Sequence, residues 1–204
     1  DNTAYTLSAR QTPKLENPEE TRMDWYLQQL QQHRSALPLT VRYLVNDGYY
    51  SKTKFIEGTL ALGLHPIGKL RHDANLRYLY TGPSRRRGRP KRYDGKVRFD
   101  DLSRFEFVEE VEGLRVYTAV VNSVHFKRNL RVVCLVKPEG DKRTIAVLFS
   151  TDLSLSAKDI YRFYKARFQI EFLFRDAKQF TGLSDCQARQ KAALHTHFNA
   201  ALTT

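Results

Sequence analysis

Residues 164–178 (YKARFQIEFLFRDAK) have the types and spacing needed to act on a nucleic-acid backbone. On a helix that turns about 100° per residue, one arc would carry a lone carboxylate among cations and a phenol. These residues are Tyr164, Arg167, Glu171, Arg175 and Lys178. The carboxylate could bind a divalent metal ion while the cations hold phosphates. The neighbouring arc is apolar and is predicted to face a core. It contains Phe163, Ala166, Ile170, Leu173, Phe174, Ala177 and Phe180.

A charged stripe beside an apolar one is also typical of any amphipathic surface helix. The pairs Arg167–Glu171 and Glu171–Arg175 would then be ordinary contacts between residues four apart, which support a helix. From the pattern alone, both interpretations stay open.

Asp47 is a second candidate for chemistry. It follows the mostly apolar run 41–46 (VRYLVN), which is predicted to be a strand, and it precedes Gly48. Open α/β sheets place their ligand sites at the carboxyl ends of strands. The alternative is structural, because Asp-Gly is a common turn dipeptide.

The elements that must position these residues follow an α/β pattern at first. The sequence predicts strands at 4–10, 41–46 and 65–70, a helix at 21–36 and a helix that Ser51 caps and that ends at Gly63. Short β-like runs follow at 105–110, 114–121, 130–136 and 144–149, with turn residues at 112–113 and 139–141. The last run is expected to rejoin the first sheet. A long helix begins at Ser156, and another covers 191–202. We therefore expect a core formed by residues 1–71 and 144–204, interrupted by a β-rich insertion at 72–143.

Composition favours an anionic partner. The 204 residues suffice for one substantial core, the net charge is +12, and the pI is about 9.8. Nucleic acid is favoured over a membrane surface because the sequence has no long apolar run. Two distant cysteines and scattered histidines indicate a reduced cytoplasm and no zinc site.

The spacing Tyr164-x2-Arg167-x3-Glu171-x6-Lys178 resembles the Tyr-Arg-Glu-Lys signature of one group of bacterial DDE insertion-sequence transposases. Asp47-Gly48-Tyr49-Tyr50, a long insertion and Glu171 reproduce the order that these enzymes show from the second catalytic Asp to the catalytic Glu. The resemblance covers the chain from about residue 4 to its end and implies an RNase H-like core.

The resemblance also implies a function, namely Mg²⁺- or Mn²⁺-dependent cleavage of transposon ends and strand transfer into target DNA by a two-metal mechanism. Asp47 and Glu171 would be catalytic metal ligands, and Tyr164, Arg167 and Lys178 would bind DNA phosphates. Such enzymes generally act as homodimers on paired ends. We expect a cytoplasmic protein that is associated with the nucleoid when it binds DNA.

The first catalytic Asp of this family has no convincing counterpart here. Asp1 is the terminal residue, and Asp24 falls inside a predicted helix. The sequence therefore predicts the C-terminal portion of such a transposase, catalytically incomplete as it stands. The alternative is a non-enzymatic DNA-binding remnant. An RNA-binding housekeeping domain would explain the charge but not the four-residue spacing.

Residues 85–92 (RRRGRPKR) contain the core pattern of an AT-hook, Arg87-Gly88-Arg89-Pro90. Arginines in such a segment enter the narrow minor groove of A·T tracts. The alternative is a solvated basic loop, which would still add phosphate contacts.

Overall fold

A computed structural model describes residues 4–14, 17–83, 88–139 and 142–203. The chain divides into two compact units. The larger unit is Tyr26–Tyr164, and the smaller one combines Asp1–Trp25 with Lys165–Thr204. The helices are α1 (Arg22–His33), α2 (Thr53–Ala61), α3 (Ala157–Ala166), α4 (Gln169–Phe180) and α5 (Lys191–Thr203). The strands are β1 (Tyr43–Val45), β2 (His65–Leu70), β3 (Leu76–Leu79), β4 (Tyr93–Lys96), β5 (Glu106–Val111), β6 (Leu114–Ser123), β7 (Arg128–Glu139) and β8 (Lys142–Ser150).

Within the described residues, eight strands of the larger unit form one mixed sheet in the order β1-β2-β8-β7-β6-β3-β4, and β5 also pairs with β6. Only β1 and β2 are parallel among the described pairs. The antiparallel pairing of β8 with β2 confirms the prediction that the last β run rejoins the first sheet. This mixed α/β architecture agrees with the predicted RNase H-like fold. The boundaries predicted at 71/72 and 143/144 stay predictions.

Both faces of the sheet carry buried apolar clusters. On one face, Ile56 of α2 packs in a cluster with Val132 and Phe149. On the other face, Ile160 of α3 packs with Ile67. A strand that is buried on both faces is typically a continuous apolar run, and residues 132–136 of β7 form such a run.

The β5–β6 hairpin turns where the sequence predicted. Glu112 and Gly113 both have positive φ, at 54° and 73°, which is the backbone of the two-residue turn that suits twisted strands. Glu112 accepts this left-handed conformation at some cost, whereas Gly113 does so freely. The turn aligns Val111 with Leu114 and so sets the register of β5 on β6.

Ser51 does not cap α2, contrary to the prediction. Its hydroxyl donates to the carbonyl oxygen of Lys69 at 2.8 Å, and Lys52 occupies the N-cap position without a side-chain hydrogen bond. Gly63, with φ +73°, follows the end of the helix as predicted. Ser51 thus ties the chain before α2 to strand β2.

The smaller unit corrects a second prediction, because residues 4–10 do not form a strand. The backbone of Ala9 is instead held by the side chain of Asn199 on α5. The Ala9 N–H donates to Oδ1 of Asn199, and Nδ2 of Asn199 donates to the Ala9 carbonyl, both at 2.8 Å. Ala9 and Leu173 pack against the buried cluster of this unit, which contains Ala177, Leu183, Ala201 and Leu202.

Across the described ranges, no helix has both the length and the apolar character needed to cross a bilayer.

Candidate metal and nucleic-acid site

Asp47 lies where the parallel edge of the sheet ends, as the sequence predicted. The N–H of Asn46 still donates to the carbonyl of Ile67 on β2 at 2.9 Å, and the chain then leaves the sheet. Asp47 is exposed and is the N-cap of a 3-10 helix, where its carboxylate accepts a hydrogen bond from the N–H of Gly48. The turn and the ligand interpretations of Asp47 are therefore compatible, since an exposed carboxylate at a strand end can cap a turn and bind a metal ion.

The backbone beneath Asp47 is closely packed. A Cβ atom on Gly68 would lie 2.8 Å from Oδ1 of Asn46 and 3.0 Å from Cε1 of Phe149. Only glycine at this position lets Asn46 keep its place between β1 and β2. Glycine at position 68 therefore leaves room for the Asn46 side chain, which directly precedes the turn at Asp47.

Lys69 is a cation near this turn that the sequence reasoning missed. It is the one exposed residue in the β2 burial pattern, and a Cβ atom on Gly48 would lie 3.4 Å from its carbonyl oxygen. The available signal was a lysine inside the predicted strand 65–70.

Asp152 also escaped prediction, and it anchors the strand that leads to Asp47. It is buried between β8 and α3, and its Oδ2 accepts a hydrogen bond of 2.8 Å from the hydroxyl of Tyr43 on β1. Its Oδ1 accepts from the backbone N–H and the hydroxyl of Ser154, at 2.9 and 2.6 Å. Burial raises the pKa of Asp152, but hydrogen bonds from Ser154 and Tyr43 outweigh it and lower the pKa to about 2. Burial, followed by the hydrogen bond to Asp152, raises the pKa of Tyr43, so its hydroxyl stays a donor.

Tyr164 lies near the end of α3 in the larger unit. Ser156 starts this helix as predicted, since its hydroxyl accepts from the N–H of Asp159 at 3.1 Å and donates to the Asp159 carboxylate at 2.7 Å. Tyr164 is half-buried and packs beside the cluster around Ile160. Part of this ring is therefore committed to the core.

The sequence predicted one long helix from Ser156, and this prediction was wrong. The helix is interrupted at Arg167 and Phe168, which separate α3 from α4. Phe168, Ile170 and Glu171 donate backbone hydrogen bonds to the residue three positions earlier, at 3.0 to 3.1 Å. Such bonds are typical of a tight 3-10 turn. Tyr164 consequently belongs to α3, whereas Glu171, Arg175 and Lys178 share α4 at spacings of four and three.

Arg167 and Glu171 are the predicted site residues that the structure brings into contact. Nη2 of Arg167 donates to Oε1 of Glu171 at 3.3 Å. The Arg167 side chain is 20% exposed and the Glu171 side chain 57%, so a held guanidinium supports a carboxylate that faces solvent. The guanidinium carbon also lies 5.0 Å from the centre of the Phe168 ring. Lys178 is exposed in the last turn of α4.

The apolar arc of α4 is not the buried seam that the sequence predicted. Ala177 is buried and Leu173 is half-buried, but Ile170, Phe174 and Phe180 are 47%, 44% and 73% exposed. Several of these side chains line an open groove of about 800 Å³ between α4, α5 and residues 6–11 of the smaller unit. The helical periodicity therefore identified the apolar face of α4 correctly, but the prediction that this face is buried was wrong.

The other predicted residues lie apart from these contacts. Asp24 lies in the first turn of α1 and accepts hydrogen bonds from the N–H and hydroxyl of Thr21, both at 2.8 Å. These bonds stabilise the start of the helix, which is an ordinary structural role. Arg89 is exposed after Gly88, whose φ is +89°. Arg87 and Asp1 lie outside the described residues.

The units divide the predicted ligands. Asp47 and Tyr164 belong to the larger unit, and Arg167, Glu171 and Lys178 belong to the smaller one. Among the described residues, no group of three or more histidine, cysteine, aspartate or glutamate side chains is placed to hold a metal ion. Each unit therefore holds one of the two predicted ligand carboxylates, and the carboxylate of Glu171 is accompanied by Arg167.

The comparisons with known proteins agree with the sequence resemblance. No curated protein matches the chain. The family model described as a transposase DDE domain matches residues 17–204, a range that contains Asp47, Glu171 and the whole four-residue signature. The chain therefore belongs to the transposase DDE-domain family.

Proposed function

We propose that this chain supplies two carboxylates of a DNA transposase that cleaves the ends of a mobile element and joins them to target DNA by cut-and-paste transposition. The observation that carries the proposal is the contact of Arg167 with Glu171 at 3.3 Å. It links two members of the Tyr-Arg-Glu-Lys signature within the region that the family model matches.

Asp47 and Glu171 are proposed as ligands of Mg²⁺ or Mn²⁺. Both are exposed carboxylates, and their oxygen atoms are the donors that hard divalent ions prefer. Two metal ions bound by such a set would make a water molecule or a DNA 3′-hydroxyl nucleophilic and stabilise the leaving oxygen. No third carboxylate is assigned.

The side chains around Glu171 have distinct proposed tasks. Arg167 orients the carboxylate and also offers a guanidinium, which suits a phosphate. Lys178 lies seven residues beyond Glu171 on α4, about 10 Å along the helix, and so reaches a neighbouring phosphate. The hydroxyl of Tyr164 is proposed to bind a phosphate while its ring stays packed beside the buried cluster around Ile160.

Metal binding gives the first test. We expect Mn²⁺ to bind the protein and the binding to be lost in Asp47→Asn and in Glu171→Gln. Asp176→Asn is the matched control, because Asp176 also lies on α4 and is paired with Arg175 at 3.0 Å. Equal Mn²⁺ affinity in the wild type, D47N and E171Q would refute the assignment of the ligands.

A plasmid assay then separates binding from cleavage. Nicking of supercoiled DNA that requires Mg²⁺ or Mn²⁺ and disappears in E171Q would show that a further residue completes the ligand set. We expect DNA binding without nicking, because no group of three such metal ligands is present among the described residues.

A homodimer on paired DNA ends is the proposed assembly, because cut-and-paste transposition must handle both ends of the element. The mass of the complex with end-sequence DNA tests it. One protein chain per DNA end pair would contradict it.

A non-enzymatic DNA-binding role is the second candidate, and the exposed segment that follows Gly88 favours it. Tyr80 donates its N–H to the carbonyl of Arg92 at 3.0 Å, so residues 88–92 approach the end of β3 as an exposed basic strip. If Arg87 and Arg89 form a minor-groove hook, A·T-rich duplex should bind more tightly than G·C-rich duplex. If a variant with both arginines neutralised binds A·T-rich duplex as tightly as the wild type does, the hook has no such role.

A further inference from the structure

One end of the larger unit brings together two basic segments that are distant in sequence. The hydroxyl of Thr53, at the start of α2, donates to the carbonyl of His125 in the β6–β7 turn at 3.1 Å. This bond places Lys52 beside the turn that contains Lys127 and leads into Arg128, the first residue of β7. We call these three cations the basic turn patch.

The two segments that carry these cations contain no acid, although Asp47 and Glu57 flank the first of them. No aspartate or glutamate occurs in residues 113–138 or in residues 48–56. Lys52 and Lys127 are exposed, and Arg128 is half-buried. The Lys52 ammonium lies 4.6 Å from the centre of the Tyr49 ring, a contact that leaves its charge in place.

The β6–β7 turn presents its cations from a fixed backbone. Phe126 is buried, its ring centre lies 5.5 Å from that of Phe149, and its N–H donates to the Ser123 hydroxyl at 3.1 Å. Lys127 follows with φ +52°. Because the turn is already held by the core, binding a ligand here would order few groups.

An open hollow of about 520 Å³, lined by both polar and apolar side chains, adjoins the patch. Its lining includes Ser51, Ser123 and His125, together with the loop 71–75. The one acid of that loop, Asp73, is held by two hydrogen bonds from Arg71 at 3.0 and 3.2 Å. The hollow therefore offers hydroxyl and amide groups next to cations, a combination that suits a sugar-phosphate backbone.

We propose that the basic turn patch and the adjoining hollow bind the backbone of duplex DNA, as a contact additional to the residues of α4. The inference rests on the proposed function, because membership of a transposase family makes DNA the expected anionic polymer. Cations without base-reading geometry position DNA and do not select its sequence.

The test removes two charges without disturbing the backbone. Lys52→Gln neutralises the start of α2, and Lys127→Asn keeps a residue that tolerates the left-handed conformation. The control double variant is Arg98→Gln with Lys158→Gln. Those cations are exposed and paired with carboxylates at 2.7 Å, so the control loses the same net charge elsewhere on the unit.

Binding of a labelled duplex of unrelated sequence would be measured by fluorescence anisotropy over a fourfold range of salt. If each cation neutralises one phosphate, the slope of log affinity against log salt falls by about 0.9 per cation, or about 1.8 in all. Over the fourfold range this difference amounts to about 12-fold in affinity.

The two double variants give opposite expectations. A reduced slope in K52Q/K127N with a wild-type slope in R98Q/K158Q supports the patch. A wild-type slope in K52Q/K127N overturns the patch and leaves the proposed function intact. An equal reduction in both double variants also overturns the patch, because it would reflect net charge alone. Absence of any duplex binding by the wild-type protein refutes the patch and the proposed function together.

Discussion

Replacing Asp152 by asparagine should destabilise the larger unit by removing a buried charge that three hydrogen bonds support. The carboxylate accepts from the Tyr43 hydroxyl at 2.8 Å and from the Ser154 N–H and hydroxyl at 2.9 and 2.6 Å. It is 8% exposed, so water cannot replace these donors readily. The contact ties β1, which leads to Asp47, to the connection that enters α3.

The magnitude follows from the pKa of this carboxyl, which is lowered from its ordinary 3.8 to about 2. A difference of one pH unit in pKa corresponds to about 1.4 kcal/mol, so the charged form should contribute about 2 kcal/mol near neutral pH. Because the folded pKa is the lower one, this stabilisation is complete above the unfolded pKa and is lost as the pH falls through about 2. About half of it should remain at about pH 3.

Urea unfolding of the wild type and D152N as a function of pH measures this contribution. We expect D152N to cost about 2 kcal/mol near neutral pH and clearly less at about pH 3. Asp73→Asn is the control, because Asp73 forms an exposed ion pair with Arg71 and should change stability by less than about 0.5 kcal/mol. A cost of D152N that is the same at both pH values would refute the electrostatic reasoning.

Three further predictions test the packing. Gly68→Ala would place a methyl group 2.8 Å from Oδ1 of Asn46 and 3.0 Å from Cε1 of Phe149. It should lower the free energy of unfolding, measured by urea titration, by about 1–3 kcal/mol. An unchanged free energy would mean that the neighbouring groups move aside without cost. Burial raises the pKa of Cys134 to about 12. A thiol reagent should therefore modify the half-buried Cys186 in the native protein, and Cys134 only after the protein unfolds. Rapid reaction of two thiols in the native protein would contradict this. Asn199→Ala removes two hydrogen bonds of 2.8 Å to the N-terminal segment and should speed tryptic cleavage after residue 10, and an unchanged rate would show that other contacts hold the segment.

Much of the fold was predictable because local signals and tertiary structure agree. The predicted strand 65–70 is strand β2 residue for residue, and the turn residues at 112–113 mark the β5–β6 hairpin. Such agreement is expected where each segment has one sheet or helix partner that its pattern suits. The closing of β8 onto β2 also followed, since an insertion that leaves an α/β core must return to it.

Other features were beyond local signals. The interruption at Arg167 and Phe168 involves neither glycine nor proline, so no residue type marked it. The alternation in residues 4–10 suits a strand, but a strand also needs a partner, and Ala9 meets the Asn199 side chain instead. Ser51 has the residue type of a helix cap, but it bonds Lys69 on β2, which the sequence does not place beside it.

The candidate site shows the same division. Residue types and spacing identified Asp47 at a strand end and Glu171 next to Arg167, and the structure agrees with both placements. Asp152 and Lys69 were missed because their importance depends on neighbours from other strands. The assignment of Asp47 and Glu171 as metal ligands stays a prediction.

Glu171 also stabilises α4 through the helix dipole, and this contribution affects how its variants are interpreted. It lies in the first turn of α4 and Lys178 in the last, so each charge has the sign that the helix dipole favours. Each such interaction is worth about 0.3–1 kcal/mol at an exposed position. E171Q therefore loses some helix stability even if Glu171 has no chemical role. Because about 1.4 kcal/mol corresponds to a factor of ten, this loss cannot explain a fall in cleavage or Mn²⁺ affinity much beyond about fivefold. Asp176→Asn changes charge on the same helix while leaving the Arg167 contact intact, so a larger fall confined to E171Q would have to come from the carboxylate itself.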